Sequence, residues 1–185
     1  AISDDEAEYK EEAGHLWHLR YPLTEPVDGQ DYIVVATTRP ETMLGDTGVA
    51  VNPKDERFGH LVGKTVKLPL VDREIPIFAD WHVDTEFGTG CVKVTPSHDP
   101  NDWAMGERAG LERINIFDET AHVVEGYGKF SGMDRDEARE AIVAAFEELG
   151  LLDHVEDHDH SVMTCYRCHT KLEPWESEQW FVAVD

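Results

Sequence analysis

No hydrophobic run in this 185-residue chain approaches the ~20 residues that a bilayer-spanning helix needs. The opening AISDDEAEYKEE is acidic and polar where a secretory leader would be basic and then apolar, so the chain reads as cytoplasmic, with no membrane partner. Cysteine is scarce: three residues, an odd number, exclude a fully paired disulfide framework. Positive charge is scarce too, with 16 basic residues against 39 acidic ones and a formal net charge of −23. Such a surface repels phosphate and disfavours nonspecific nucleic-acid binding. An acidic, salt-adapted proteome explains the excess most simply, and any polyanionic substrate would then need a local basic patch. Internal repeats and low-complexity segments are absent. What remains, 41% hydrophobic and 30% charged residues, is ordinary for a globular chain of one domain by length.

The pattern along the chain predicts short strands first and helices late. HLWHLRYPL reads as a strand, EPVDGQD as a turn, and DYIVVATT as a β-branched strand buried on both faces in its middle. RPETMLGD reads as a loop and TGVAV as a short apolar strand. TVKLPLV and EIPIFA, separated by Asp-Arg, suggest a hairpin, and GCVKVT another strand. DPNDWAMGERAG reads as a short helix closed by Gly110. In MDRDEAREAIVAAFEELG, Asp134 and Glu137 fit a capping box, and Ala138, Ile142, Phe146 and Leu149 form one apolar stripe that Gly150 ends. The expected class is α+β, built on a barrel-like or sandwich sheet.

Two stretches carry chemistry. In GTGCVKVTPSHDPNDW, alternation on a strand puts Cys91, Lys93 and Thr95 on one face and aims Val92 and Val94 into the core. Asp99 and Asp102, three apart at a helix start, share a side. Each alone is explained as an N-cap or an acidic first-turn residue; with Lys93 and Thr95 on the facing strand end they form a pocket. A helix N-terminus and a nearby lysine should keep both carboxylates ionised, which suits them to clamp an ammonium group rather than to act as general acids. The spacing lacks the third glycine of a dinucleotide loop. His98, Asp99 and Asp102 are too close in sequence for good metal geometry, and Cys91 reads as a buried, inert thiol. In ATTRPETMLGDTGVAVNP, Thr37, Thr38 and Thr42 place hydroxyls around Arg39, a set suited to polar, phosphate or carbonyl recognition.

Taken in order, TTRPETMLGDTGVAVNPKDERF, VKLPLVDREIPIFAD, FGTGCVKVTPSHDPNDW and INIFDE resemble the editing domain of the valyl-tRNA synthetases, class I aminoacyl-tRNA synthetases, and the likeness runs over nearly the whole chain. It implies a β-barrel-containing domain inserted in a Rossmann catalytic domain. The implied activity is hydrolysis of mischarged Thr-tRNA(Val); these enzymes are a standard illustration of a pocket that rejects an added hydroxyl poorly and edits the product at a second site. By motif position the resemblance places Arg39, Thr42, Phe87, Lys93, Thr95, Asp99 and Asp102 in the pocket, with Thr38 and His98 beside them. On chemical grounds, Asp99 and Asp102 are expected to hold the ammonium and the threonine hydroxyl, and Lys93 and Thr95 to contact that hydroxyl or the carbonyl. Arg39 and Thr42 would hold the terminal adenosine, with Phe87 as a packing wall. A non-catalytic module for the aminoacylated 3′ end, and isoleucyl-type editing of Val-tRNA(Ile), remain alternatives.

The same resemblance divides the chain into an N-terminal stem (1–14), an editing core (15–152) and a C-terminal stem (153–185). CYRC, with Cys165 and Cys168, resembles half of a zinc knuckle, and a structural zinc site wants four ligands. His158, His160 or His169 could complete it, but a metal-free 158–172 region is expected, with zinc and ATP binding belonging to the full-length parent and no cofactor here. HIGH and KMSKS signatures are absent, so the chain reads as a monomeric piece returning at both ends to a parent catalytic domain in cis, with the tRNA(Val) acceptor end as partner.

Overall fold

A computed structural model describes residues 7–165, with side chains described over 14–157. Its organising element is β1 (Ala7–Val27), a 21-residue strand long enough to pair with three others. Its first part runs antiparallel to β7 (Leu152–Cys165), from Ala7 opposite Cys165 to Leu19 opposite Leu152. From Trp17 onward it also pairs with β2 (Gln30–Thr37) across the Asp28-Gly29 turn, and at Leu23 it meets β4 (Thr65–Leu68). The β1–β7 pairing keeps one register from Ala7 opposite Cys165 to His18 opposite His154 and slips at the next residue, where Leu19 pairs with Leu152 and Asp153 is passed over.

Beyond β4 the sheet adds β5 (Arg73–Ala79), β3 (Gly48–Val51) and β6 (Cys91–Val94), in the order β2-β1-β4-β5-β3-β6, with β3 and β5 parallel and the other pairs antiparallel. The sheet curls until its ends nearly meet. Just before β6, the Thr89 hydroxyl donates to the Val34 carbonyl of β2. Beside it Gly88, at φ +56°, lies so near Ala36 that a Cβ would come within 2.6 Å of that residue's Cβ, a contact only glycine permits. This is a nearly closed β-barrel with a few helices.

The buried parity of β1 switches between His18 and Leu19, where its pairing with β7 slips: Leu16 and His18 face inward before the slip, Leu19, Tyr21 and Leu23 after it. The last three join Ile33, Val35, Val49, Val51, Val66, Leu68, Ile75 and Ile77 in the barrel core. The helix α1 (Pro100–Ala109) starts at N-cap Asp99 and ends at Gly110 in the left-handed region. It covers a smaller cluster of Ala50, Val83, Val94 and Met105, and its Arg108 grips the buried Asp80 after β5 at 2.9 and 3.0 Å. The helix α2 (Arg135–Glu148) has the expected capping box between Asp134 and Glu137.

Four local expectations need correction. The apolar stripe of α2 is Ala138, Ile142, Ala145 and Phe146; Leu149 lies past the last turn and is 57% exposed. RPETMLGD is not an open loop, because Pro40–Gly45 forms a fully buried 3₁₀ turn. The β4–β5 connection is Pro69–Asp72 rather than Asp-Arg: Arg73 is already paired with Leu68, and Leu70 and Asp72 take positive φ to turn the chain. On β6, both faces are covered, so Cys91, Lys93 and Thr95 are as buried as Val94, while Val92 is only half-buried. β6 is the last strand in the sheet order, but the closing contact with β2 and the 3₁₀ turn over it leave it little solvent face. Among the described residues, no helix is long and apolar enough to cross a membrane.

Candidate functional site

The end of β6, the start of α1, the end of β2 and the buried 3₁₀ turn converge on a cavity of about 160 Å³. That is enough room for a small group such as an aminoacyl side chain, and the cavity is open to solvent on one side. Arg39, Thr42, Phe87, Lys93, Thr95, Asp99 and Asp102, with Thr38 and His98, all line it. The sequence separates these residues by as much as 64 positions, from Thr38 to Asp102; barrel closure brings them together.

Lys93 is the centre of one wall. Its Nζ donates to Thr42 Oγ1 at 2.6 Å and to Thr95 Oγ1 at 2.6 Å, and it lies 3.0 Å from Asp46 Oδ1. An ammonium has three N–H donors, and three acceptors surround this one. Thr42 in turn donates to the Arg39 carbonyl at 2.9 Å, and Thr95 to Asp46 Oδ1 at 2.6 Å. Tyr21 completes the network, donating to Asp46 Oδ2 at 2.6 Å. Burial pushes the Asp46 carboxyl up from its ordinary value, while Lys93, Thr95 and Tyr21 pull it back. Three donors and no acceptor among these contacts is the pattern of an ionised carboxylate.

The opposite wall is acidic. Asp99 caps α1 with Oδ1, which accepts from the amides of Asn101 and Asp102 at 2.8 and 3.1 Å. Asp102 Oδ2 accepts from the Thr95 amide at 2.9 Å. The expectation that both carboxylates stay ionised fails for Asp102. Burial first, and then the charge of Asp99, push its carboxyl up to about 7, against the pull of Lys93 and the Thr95 amide. Desolvation outweighs the helix terminus because Asp102 sits inside the turn rather than at its wet end.

Other residues hold this frame. Glu41, wholly buried in the 3₁₀ turn, takes a two-pronged grip from Arg139 of α2, Nε to Oε1 and Nη2 to Oε2, both 2.9 Å. Arg73 Nη1 donates to the carbonyls of Leu44 and Asp46, each at 2.9 Å. At Gly45 a Cβ would meet the Ile114 carbonyl at 3.0 Å and Thr95 Cγ2 at 3.2 Å, so the turn packs directly on the site. Arg39 reaches across to the His98 carbonyl at 2.8 Å. His98 is fully buried, and its Nε2 accepts from the Ile116 amide at 3.0 Å, which puts the ring proton on Nδ1. Phe87, 42% exposed, lines the cavity at its rim.

Among the described residues no three His, Cys, Asp or Glu side chains are arranged to hold a metal ion. The possible zinc ligands His158, His160, His169, Cys165 and Cys168 have side chains outside the described residues. Cys91 is buried in the barrel core, and burial pushes its thiol up to about 12. Such a thiol is not a nucleophile. Cys91→Ala is expected to leave any hydrolytic activity unchanged and to lower stability by about 1 kcal/mol, measured by denaturant unfolding.

Sequence reasoning missed Asp46, Tyr21, Glu41 and Arg139. No local signal marked the first and third: both carboxylates sit in RPETMLGDTG, whose polar and turn-forming residues read as a loop, where a charge needs no protein partner.

Residues 52–147, just over half of the chain, match the family described as "Leucyl-tRNA synthetase, editing domain". The chain belongs to that family. The editing domain is 57% identical to valine--tRNA ligase of Thermotoga maritima over 183 residues, 99% of this chain and 21% of the relative. It is likewise 57% identical to the valine--tRNA ligases of Parasynechococcus marenigrum and Clostridium tetani, over all of this chain and 20% and 21% of theirs. The chain thus spans about one-fifth of the length of these curated relatives. The crystal structure of GlLeuRS-CP1 superposes with a TM-score of 0.59 at 14% identity, covering 78% of this chain and 98% of that one, a likeness of fold.

Proposed function

We propose that this editing domain hydrolyses the ester of Thr-tRNA(Val), acting on the tRNA acceptor end in cis with a parent valyl-type catalytic domain. The observation that carries the reading is the pairing of two walls in a cavity of about 160 Å³: carboxylates Asp99 and Asp102 on one side, hydroxyls Thr42 and Thr95 held by Lys93 on the other. Carboxylates attract the substrate's ammonium, and a small cavity admits a threonyl group. Thr42 Oγ1, which already donates to the Arg39 carbonyl and accepts from Lys93, keeps a lone pair for a substrate hydroxyl. A valyl group would present a methyl there and leave that acceptor unpaired, which costs binding.

Lys93 acts on the substrate through the hydroxyls it fixes, because its three donors already face Thr42, Thr95 and Asp46. An aminoacyl ester is activated enough that no side-chain nucleophile is required. A water adds to the carbonyl carbon and the terminal ribose oxygen departs with a proton, while fixed dipoles orient the reacting groups. Arg39 at the mouth supplies positive charge for the polynucleotide end, a local exception to the chain's −23. The test is deacylation of Thr-tRNA(Val) beside Val-tRNA(Val) by this chain. Rapid loss of the threonyl ester with the valyl ester spared is expected; equal rates, or no hydrolysis by the folded chain, would refute the reading.

A further inference from the structure

We propose that Tyr21 is a positioning residue of the editing pocket, acting through Asp46 to hold the Lys93 ammonium and the Thr95 hydroxyl in register; this rests on the editing reading above. Tyr21 lies on β1 inside the barrel core, fully buried and packed near Phe146 with ring centroids 6.3 Å apart. A phenylalanine would fill that space without the cost of burying a hydroxyl. The hydroxyl instead donates to Asp46 Oδ2 at 2.6 Å, from a residue 25 positions away and outside the cavity lining.

Asp46 divides its oxygens. Oδ1 serves the pocket, through Thr95 at 2.6 Å and Lys93 at 3.0 Å; Oδ2 faces the core, where Tyr21 is its side-chain donor. Without that donor a fully buried oxygen loses its hydrogen bond, and the carboxylate must either rotate or take up a proton. Either response loosens Lys93, and with it both threonine hydroxyls. The charged and titratable groups around Asp46 are Tyr21 from β1, Arg73 from β5 on its backbone carbonyl, Lys93 from β6 and Asp102 from α1. Tyr21 is pushed well above its ordinary value by burial and by the charge of Asp46, so it remains protonated and donates throughout.

The sign follows. The Tyr21 hydrogen bond favours ionised Asp46, so removing it raises the proton affinity of Asp46 and moves loss of function upward from the acid side. The experiment compares Tyr21→Phe with Phe146→Leu, a core change that touches the same ring without touching Asp46. It uses carboxyl-carbon NMR titration of Asp46, thermal unfolding, and kcat and KM for the threonyl ester from pH 5.5 to pH 9. Tyr21→Phe is expected to raise the Asp46 midpoint by about one pH unit or more and to lower kcat/KM about tenfold or more at the acid end, recovering as pH rises. Phe146→Leu is expected to lower Tm while leaving the pH profile in place. An unchanged Asp46 midpoint, or the same pH-independent loss in both variants, overturns the proposal. If the parent chain hydrolyses no ester, the editing reading falls, and the Asp46 titration by itself still decides the action of Tyr21.

Discussion

Asp102→Asn is expected to abolish deacylation and, above pH 7, to make the folded domain more stable than its parent. The two effects share a cause. Asp102 is 9% exposed, faces Asp99, and has its carboxyl pushed up from 3.8 to about 7. For a carboxyl whose folded value lies above its unfolded one, the native state binds the extra proton between those values. Stability is therefore fully present below the unfolded value and is lost as pH rises through the folded one. Three units correspond to roughly 4 kcal/mol as an upper bound, shared with Asp99 because the two titrate together. Asparagine keeps an oxygen for the Thr95 amide, now at 2.9 Å from Oδ2, and removes the buried charge. It also removes the anion that would receive the substrate's ammonium. Tm of the variant should come closest to the parent's near pH 3.5, below the unfolded carboxyl value, and should exceed it by several degrees at pH 8.5. A variant that loses stability at both pH values would show that the ionised carboxylate is not under strain in the fold.

Arg139→Ala should have the largest effect on stability. It would leave Glu41, which is wholly buried, with Arg39 at 3.9 Å in place of a two-pronged grip at 2.9 Å. Removing one partner of a buried pair typically costs about 3–5 kcal/mol, because an uncompensated charge stays behind. Arg39 moderates the loss, at the expense of its bond to the His98 carbonyl. The lesion lies on α2, outside the cavity lining, yet the 3₁₀ turn that Arg139 grips carries Thr42, so hydrolysis should fall as well. Adding Glu41→Gln to Arg139→Ala removes the stranded charge and should recover about half of the lost stability. It should not restore activity fully, since the amide no longer has a guanidinium to fix the turn. Urea unfolding of both variants measures this, and a loss below 1 kcal/mol for Arg139→Ala would mean that water or Arg39 replaces the grip.

Much of the architecture is legible in local patterns. Asp134 and Glu137 announce α2 because a capping box satisfies two helix-end donors within four residues. Asp99 and Gly110 bracket α1 for similar short-range reasons. The 3₁₀ turn was not legible, because RPETMLGD carries turn-forming and polar residues, and only the packing of Glu41 on Arg139 and of Gly45 on Thr95 makes burial tolerable. The parity switch in β1 was equally hidden, since a slip in pairing depends on the partner strand 133 residues away or more.

The site divides along the same line. The residue types at the pocket, a lysine and threonine on one strand end and two carboxylates at the next helix start, are determined by the sequence alone, because they lie within ten positions and strand and helix periodicities orient them. Their chemistry was decided by the tertiary structure. Whether Asp102 is ionised depends on how much water the barrel excludes. What Lys93 does depends on Asp46 and Thr42, some fifty positions earlier, and on Tyr21 one strand further on. Short-range order follows from sterics and backbone hydrogen bonding along the chain, whereas proton affinity and charge pairing follow from the local dielectric and from neighbours that only the closed barrel assembles.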